Sequence, residues 1–299
     1  MSRRALLWSP ICVLFLFPGC PTKRSFAFDA TRAMGYVTDI VSFGPRPVGT
    51  TAHARVETYI LDHLHNIGAE VETDDFVAPT PAGRMKMRNI IGKFPGERDG
   101  VIVIGSHYET NFPLRNFVGA NDGASSSGLL LELANQLHRK NGKLPGYSVW
   151  LVWFDGEEAI ESWSATDSLY GSRHLAEKWQ KDGTLKTIRA LILTDMIGDA
   201  DLNIERDANS NPELQKLAYQ AASNLGYQSH FFAREVPVED DHLPFVRAGV
   251  PSIDLIDLNY GPENMYHHTP QDTLDKLSPQ SLEITGRVVL EMVRLLGQK

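Results

Sequence analysis

The run Val149–Phe154 (VWLVWF) is almost wholly apolar, and it stops abruptly on Asp155-Gly156-Glu157-Glu158. A run this short and apolar reads as a strand buried on both faces, the kind found in parallel sheets. Carboxylates crowded at the end of such a strand repel one another and cost free energy when desolvated. They are not there for stability, so this strand end is expected to face a positive charge, most simply a metal ion.

The rest of the chain supplies a frame for that strand. Helices are expected over 28–43 and 51–68, where Val56, Tyr59, Ile60, Leu64 and Ile67 recur at helical spacing and Gly68 ends the pattern. Gly44-Pro45-Arg46-Pro47 is a rigid break between them. Val71–Val77 and Met87–Phe94 alternate as strands around a turn at Pro79–Gly83, and Val101–Gly105 (VIVIG) is a second fully apolar strand. A helix over Ser127–His138, strands over Ser148–Phe154 and Ile188–Thr194, a helix over Pro212–Leu225, a strand over Ser252–Ile256 and a helix over Leu282–Leu296 complete the order. Apolar strands alternating with helices predict a single α/β domain with a mixed, mostly parallel central sheet and helices on both faces.

On that frame His107 falls just past VIVIG, Glu157 and Glu158 just past VWLVWF, Asp195 after ALILT, and Asp254 and Asp257 within or just past SIDLI. Open α/β sheets bind ligands at the carboxyl ends of their strands. Four strands therefore send acids or a histidine to one edge. The candidate metal ligands are Asp122 (GANDGASSSG), Glu158 (DGEE) and His268 (YHHTPQDT), with His107 and Asp195 as extras. A catalytic zinc takes three protein ligands and leaves a fourth position open. Singly, Asp122 also reads as a turn residue before Gly123, and His268 as a surface histidine. It is their joint occurrence that is specific.

The blocks SHYET, ANDGASSSGLLLEL, FDGEE, YGSRHL, LTDMIG, EDDHLPF and YHHTPQDT, in this order, resemble the zinc-dependent aminopeptidase superfamily from about Ala33 to the end. Within it the chain most resembles the glutaminyl-peptide cyclotransferases. Aminopeptidases of this fold run almost directly from GEE to GS, whereas here Ala159–Tyr170 intervenes and is similar to the cyclase segment carrying a pocket tryptophan. The resemblance implies conversion of N-terminal glutamine of peptides to pyroglutamate with release of ammonia. It also implies one zinc on Asp122, Glu158 and His268, Glu157 as general acid/base, Trp163 in the pocket, and Asp195 and Asp240 as acids bonded around the glutamate. His107 matches a histidine that holds a second metal in aminopeptidases. Two departures make the pocket more polar: His267 stands where animal cyclases have Trp, and Asp254 where they have His. A two-zinc aminopeptidase is the alternative within the superfamily. A non-catalytic binding module on the same fold is the alternative outside it, disfavoured because no ligand is eroded.

Composition bounds the partners. With 29 basic and 37 acidic residues the formal charge is −8, which argues against nucleic acid or an anionic membrane surface. Peptide or protein N-termini are the expected substrate, and a monomer the expected state. Residues 1–25 read as an export leader: Arg3 and Arg4, an apolar run Ala5–Phe17, then Pro18-Gly19-Cys20. Cleavage with a lipid anchor at Cys20 and simple cleavage near Phe26-Ala27 are both open, and either predicts a periplasmic or secreted protein. Both cysteines, Cys12 and Cys20, lie in this leader, so the catalytic domain over 26–299 has only histidines and carboxylates to hold a metal.

Overall fold

The computed structural model describes residues 27–139 and 142–298; the leader expected over 1–25, with Cys12 and Cys20, lies outside them. The elements in chain order are α1 (Ala30–Ser42), α2 (Thr51–Asn66), β1 (Glu70–Thr80), β2 (Gly83–Phe94), β3 (Gly96–His107), α3 (Ala124–Leu137) and β4 (Leu144–Phe154). Then follow α4 (Tyr170–Asp182), β5 (Ile188–Asp195), β6 (Ile204–Asp207), α5 (Pro212–Leu225), β7 (Phe231–Val236), α6 (Leu243–Arg247), β8 (Ser252–Ile256) and α7 (Pro279–Leu296), with short 3-10 turns between.

Six strands form one sheet in the order β1-β2-β4-β3-β5-β8. β1 and β2 are an antiparallel hairpin, β2 joins β4 antiparallel, and β4, β3, β5 and β8 run parallel. The mixed, mostly parallel sheet is thus as expected. Side chains of β3 alternate between two cores: Ile102 and Ile104 pack with α1, α3 and α7, while Val101 and Val103 pack with Leu175 and Trp179 of α4 and Phe245 of α6. Two covered faces explain why VIVIG and VWLVWF are apolar without interruption. Each fully buried Leu or Ile contributes roughly 1.5–3 kcal/mol relative to exposure.

Three details differ from the sequence reading. The hairpin turn is tighter than Pro79–Gly83, because Pro79 still pairs with Arg84 and Thr80 with Gly83; proline is tolerated there on the outermost strand of the sheet. Helix α4, which buries Leu175, Ala176 and Trp179 on one face, was not expected. Its start is concealed by Leu169, which has a left-handed backbone, and by Gly171 in its first turn. The pair β6–β7 was also not expected, since strands of four and six residues carry little periodicity.

Candidate metal centre and substrate pocket

The parallel strands bring their carboxyl ends side by side, and the polar residues collect there. His107 is the last residue of β3, Asp155 follows β4 directly, and Asp195 ends β5. His107 Nε2 lies 3.1 Å from Asp122 Oδ1 and 3.2 Å from Asp195 Oδ1. Asp122 arrives from the turn before α3. That turn needs Gly123, whose backbone has φ 83°, and an added Cβ there would meet the Glu109 carbonyl oxygen at 2.7 Å.

His268 Nε2 stands between two carboxylates, 3.3 Å from Asp122 Oδ2 and 3.1 Å from Glu158 Oε1. Both of these buried oxygens lack a well-directed hydrogen-bond donor. Burial alone would lower the His268 pKa, but its contacts with Asp122 and Glu158 carry it up to about 11. Two unsatisfied anionic oxygens flanking one imidazole nitrogen are donors of the kind a zinc ion takes, so in chemistry Asp122, Glu158 and His268 fit the expected ion. Among the described residues the sets whose ligand atoms all lie within 4.8 Å of one another are Asp122, His267 and His268; His107, Asp122 and Asp195; His107, Glu109 and Glu157; and His53, Glu57 and Asp155. The expected trio with Glu158 is not one of them, since Glu158 is tied to it through His268 alone. His268 and Met196 both have left-handed backbones, φ 51° and 50°, strain of the sort that persists where a side chain must be aimed.

Glu157 lies beside this cluster in a cavity of ≈ 340 Å³ shared with Trp163, Asp195, Asp240 and His267. Burial, reinforced by the neighbouring charges of Asp240, Glu158 and Asp241, lifts its carboxyl well above the usual carboxylate range, against the opposing pull of His107. Asp195 Oδ1 accepts from the Met196 amide at 2.8 Å as well as meeting His107. Asp240 accepts from the Asp241 amide at 2.5 Å, and its other oxygen has no partner. Trp163 sits at the rim, 40% exposed, with Nε1 donating to Glu239 Oε2 at 3.2 Å. Elsewhere Trp153 and Trp179 are buried, and Trp150 meets Trp179 edge-on. Asp254 is fully buried and does not line the cavity; its Oδ2 lies 3.8 Å from His242 Nδ1, and Asp257 accepts from the Asn203 amide.

Several residues that hold this arrangement were not singled out from the sequence. Arg46, fully buried, donates to the carbonyls of Tyr108, Val118, Gly119 and Asp122 and so braces the loop that carries Asp122. Desolvation lowers its pKa to about 10, which leaves it charged at neutral pH. Asp272 accepts from the amides of Asn121 (2.7 Å) and Asp122 (3.1 Å) and from the Tyr260 hydroxyl. Asn111 donates to Glu158 Oε2 at 2.7 Å, leaving Oε1 to face His268. Asp167 accepts from the amides of Ile160, Glu161 and Ser162, fixing the loop that presents Trp163. The sequence signal for these was thin, because each is a polar residue in an unremarkable loop or strand whose partner is distant in the chain. Asp155, expected with Glu157 and Glu158 to face a metal, does not line the cavity: it is bound by His53 Nε2 at 2.8 Å and by the Arg88 amide.

Against known proteins, peptidase family M28 matches over residues 89–293. The glutaminyl-peptide cyclotransferase of Drosophila melanogaster is 34% identical over 252 residues, covering 76% of this chain and 70% of that protein. Among solved structures, a glutaminyl cyclase from an Acidobacteriales bacterium superposes with a TM-score of 0.89 at 52% identity, over 94% of this chain and 99% of that one. A Zn-dependent exopeptidase from Parabacteroides distasonis gives 0.80 at 26% identity, over 91% and 99%. Of these two structures the Acidobacteriales cyclase is the more similar in both identity and superposition, and the chain belongs to peptidase family M28, in its glutaminyl cyclase branch.

Proposed function

We propose that the protein is a zinc-dependent glutaminyl-peptide cyclotransferase acting on peptide or protein N-termini. The observation that carries this reading is Glu157: a buried carboxylate beside the Asp122–Glu158–His268 set, in the same cavity as Trp163. Asp122, Glu158 and His268 would hold the zinc, whose Lewis acidity makes the substrate γ-carboxamide carbon open to attack.

The substrate's own α-nitrogen forms the new C–N bond to that carbon, the amide nitrogen leaves as ammonia, and no protein nucleophile is needed. The α-amine must lose a proton and the leaving nitrogen must gain one. Glu157 takes the first and delivers the second, and its raised pKa matches a group that must both accept and return a proton. Adjacent residues point in different directions, which lets Glu158 serve the metal while Glu157 faces substrate. Asp240, with its unpartnered oxygen in the same cavity wall, keeps Glu157 readily protonated. Trp163 offers an indole face to the glutamine side chain.

The test is Glu157→Gln. It is expected to retain stoichiometric zinc by metal analysis while ammonia release from a Gln-peptide falls by about 10²–10⁴. Activity near wild type in that variant removes the assigned role.

The two-zinc aminopeptidase is favoured by one observation, the proximity of His107, Asp122 and Asp195. Two zincs per chain with amino-acid release and no ammonia would decide for it. For the whole protein we propose a monomeric catalytic domain over 26–299, exported by the leader 1–25 and possessing no membrane attachment beyond a lipid on Cys20 if that residue is retained. No helix among the described residues is long and apolar enough to cross a membrane.

A further inference from the structure

We propose that Glu239 makes the pocket mouth selective for charge: among peptides beginning with glutamine it favours those with a basic second residue and rejects those with an acidic one. This rests on the cyclotransferase reading above and names the substrate class of that same site.

The wall of the cavity carries six carboxylates, Asp122, Glu157, Glu158, Asp195, Glu239 and Asp240, and neither Lys nor Arg. A dipositive ion held by Asp122, Glu158 and His268 would offset two of those charges. Asp195 faces His107, and Asp240 is buried. Glu239 differs from the other five because it is exposed. It stands at the rim beside Trp163, whose indole Nε1 donates to its Oε2 at 3.2 Å.

The backbone around Glu239 is pinned. The Val238 amide donates to Asp207 Oδ1 at 2.9 Å, and Asn209 Nδ2 donates to the Val238 carbonyl at 2.8 Å. On the other side Asp240 and Asp241 are buried. Asp207 and Asn209 therefore set where the carboxylate stands, and Trp163 sets where it points. A cavity of ≈ 340 Å³ is at the small end of ligand pockets and takes the N-terminal residue. The second residue of the peptide must then cross the rim formed by Trp163 and Glu239. An exposed carboxylate held in place within several ångströms of a side-chain charge changes affinity by several-fold, with opposite signs for Lys and Glu. Being exposed, it is screened by salt.

The experiment measures ammonia release from Gln-Lys-Ala, Gln-Glu-Ala and Gln-Ala-Ala by the zinc-loaded full chain and by Glu239→Gln and Glu239→Lys, at low and high salt. Wild type is expected to favour the Lys over the Glu peptide by roughly tenfold in kcat/KM, carried by KM and shrinking with salt. Glu239→Gln is expected to bring the ratio within about threefold, and Glu239→Lys to invert it. A ratio near one in wild type, or a ratio unchanged in both variants, overturns the inference. Failure of all three peptides to release ammonia from wild type overturns the cyclotransferase reading, and with it this selectivity.

Discussion

At the scale of single residues the centre is a contest between a proton and a metal. His268 has an ordinary pKa of 6.5, and Asp122 and Glu158 raise it to about 11 when no metal is bound. Without metal the stabilisation from this contact is therefore fully present below 6.5 and is lost as pH rises toward 11. A metal ligand must be the neutral imidazole, so zinc binding expels that proton. Zinc affinity is accordingly expected to rise with pH between 6 and 8, by up to about tenfold per unit, in a competition titration against a chelator of known pH dependence. An affinity independent of pH would show that His268 is not a ligand. Asp272 acts one step back, through the amides of Asn121 and Asp122. We predict that Asp272→Ala weakens zinc by about ten- to a hundredfold in the same titration, with the ligands themselves untouched.

At the scale of elements the site depends on segments whose irregularity has a cause. The loop before α3 is held by a buried guanidinium, Arg46, which satisfies carbonyls that no helix or strand takes up. Removing it leaves those acceptors buried and unpaired, and Arg46→Met is expected to cost roughly 2–4 kcal/mol in urea unfolding. The Trp163 loop is gathered on one carboxylate, Asp167, by three amides and the Tyr170 hydroxyl. The place of Trp163 in the pocket was legible through the family resemblance. The role of Asp167 was not, because a single Asp in a polar loop looks the same whether or not it collects its neighbours' amides. Helix α4 shows the converse: its Leu175–Trp179 spacing carries a helical signal, but the motif that precedes it hides where the helix begins.

At the scale of the molecule, core and site are largely separate. The two apolar layers on either face of the sheet involve few of the groups at the strand ends. Chelation of zinc is thus expected to lower the thermal midpoint by a few degrees without unfolding the chain. Bound ligand at about a hundred times its dissociation constant contributes roughly 2.7 kcal/mol. Global unfolding on chelation, read by calorimetry, would contradict this division.

The sequence by itself determined the alternation of strands and helices and the residues that meet at the strand ends. Apolar periodicity and stacked acids are local signals, and burial on both faces leaves its mark on every residue of VIVIG and VWLVWF. Only the tertiary structure decided which oxygen of Glu158 faces His268, that Arg46 and Asp272 carry the Asp122 turn, and that Glu239 stands at the rim under Trp163. Those contacts join residues tens to more than a hundred positions apart, and the chemistry of each partner alone does not specify the other. Packing selects the pair, and no window of sequence contains both members.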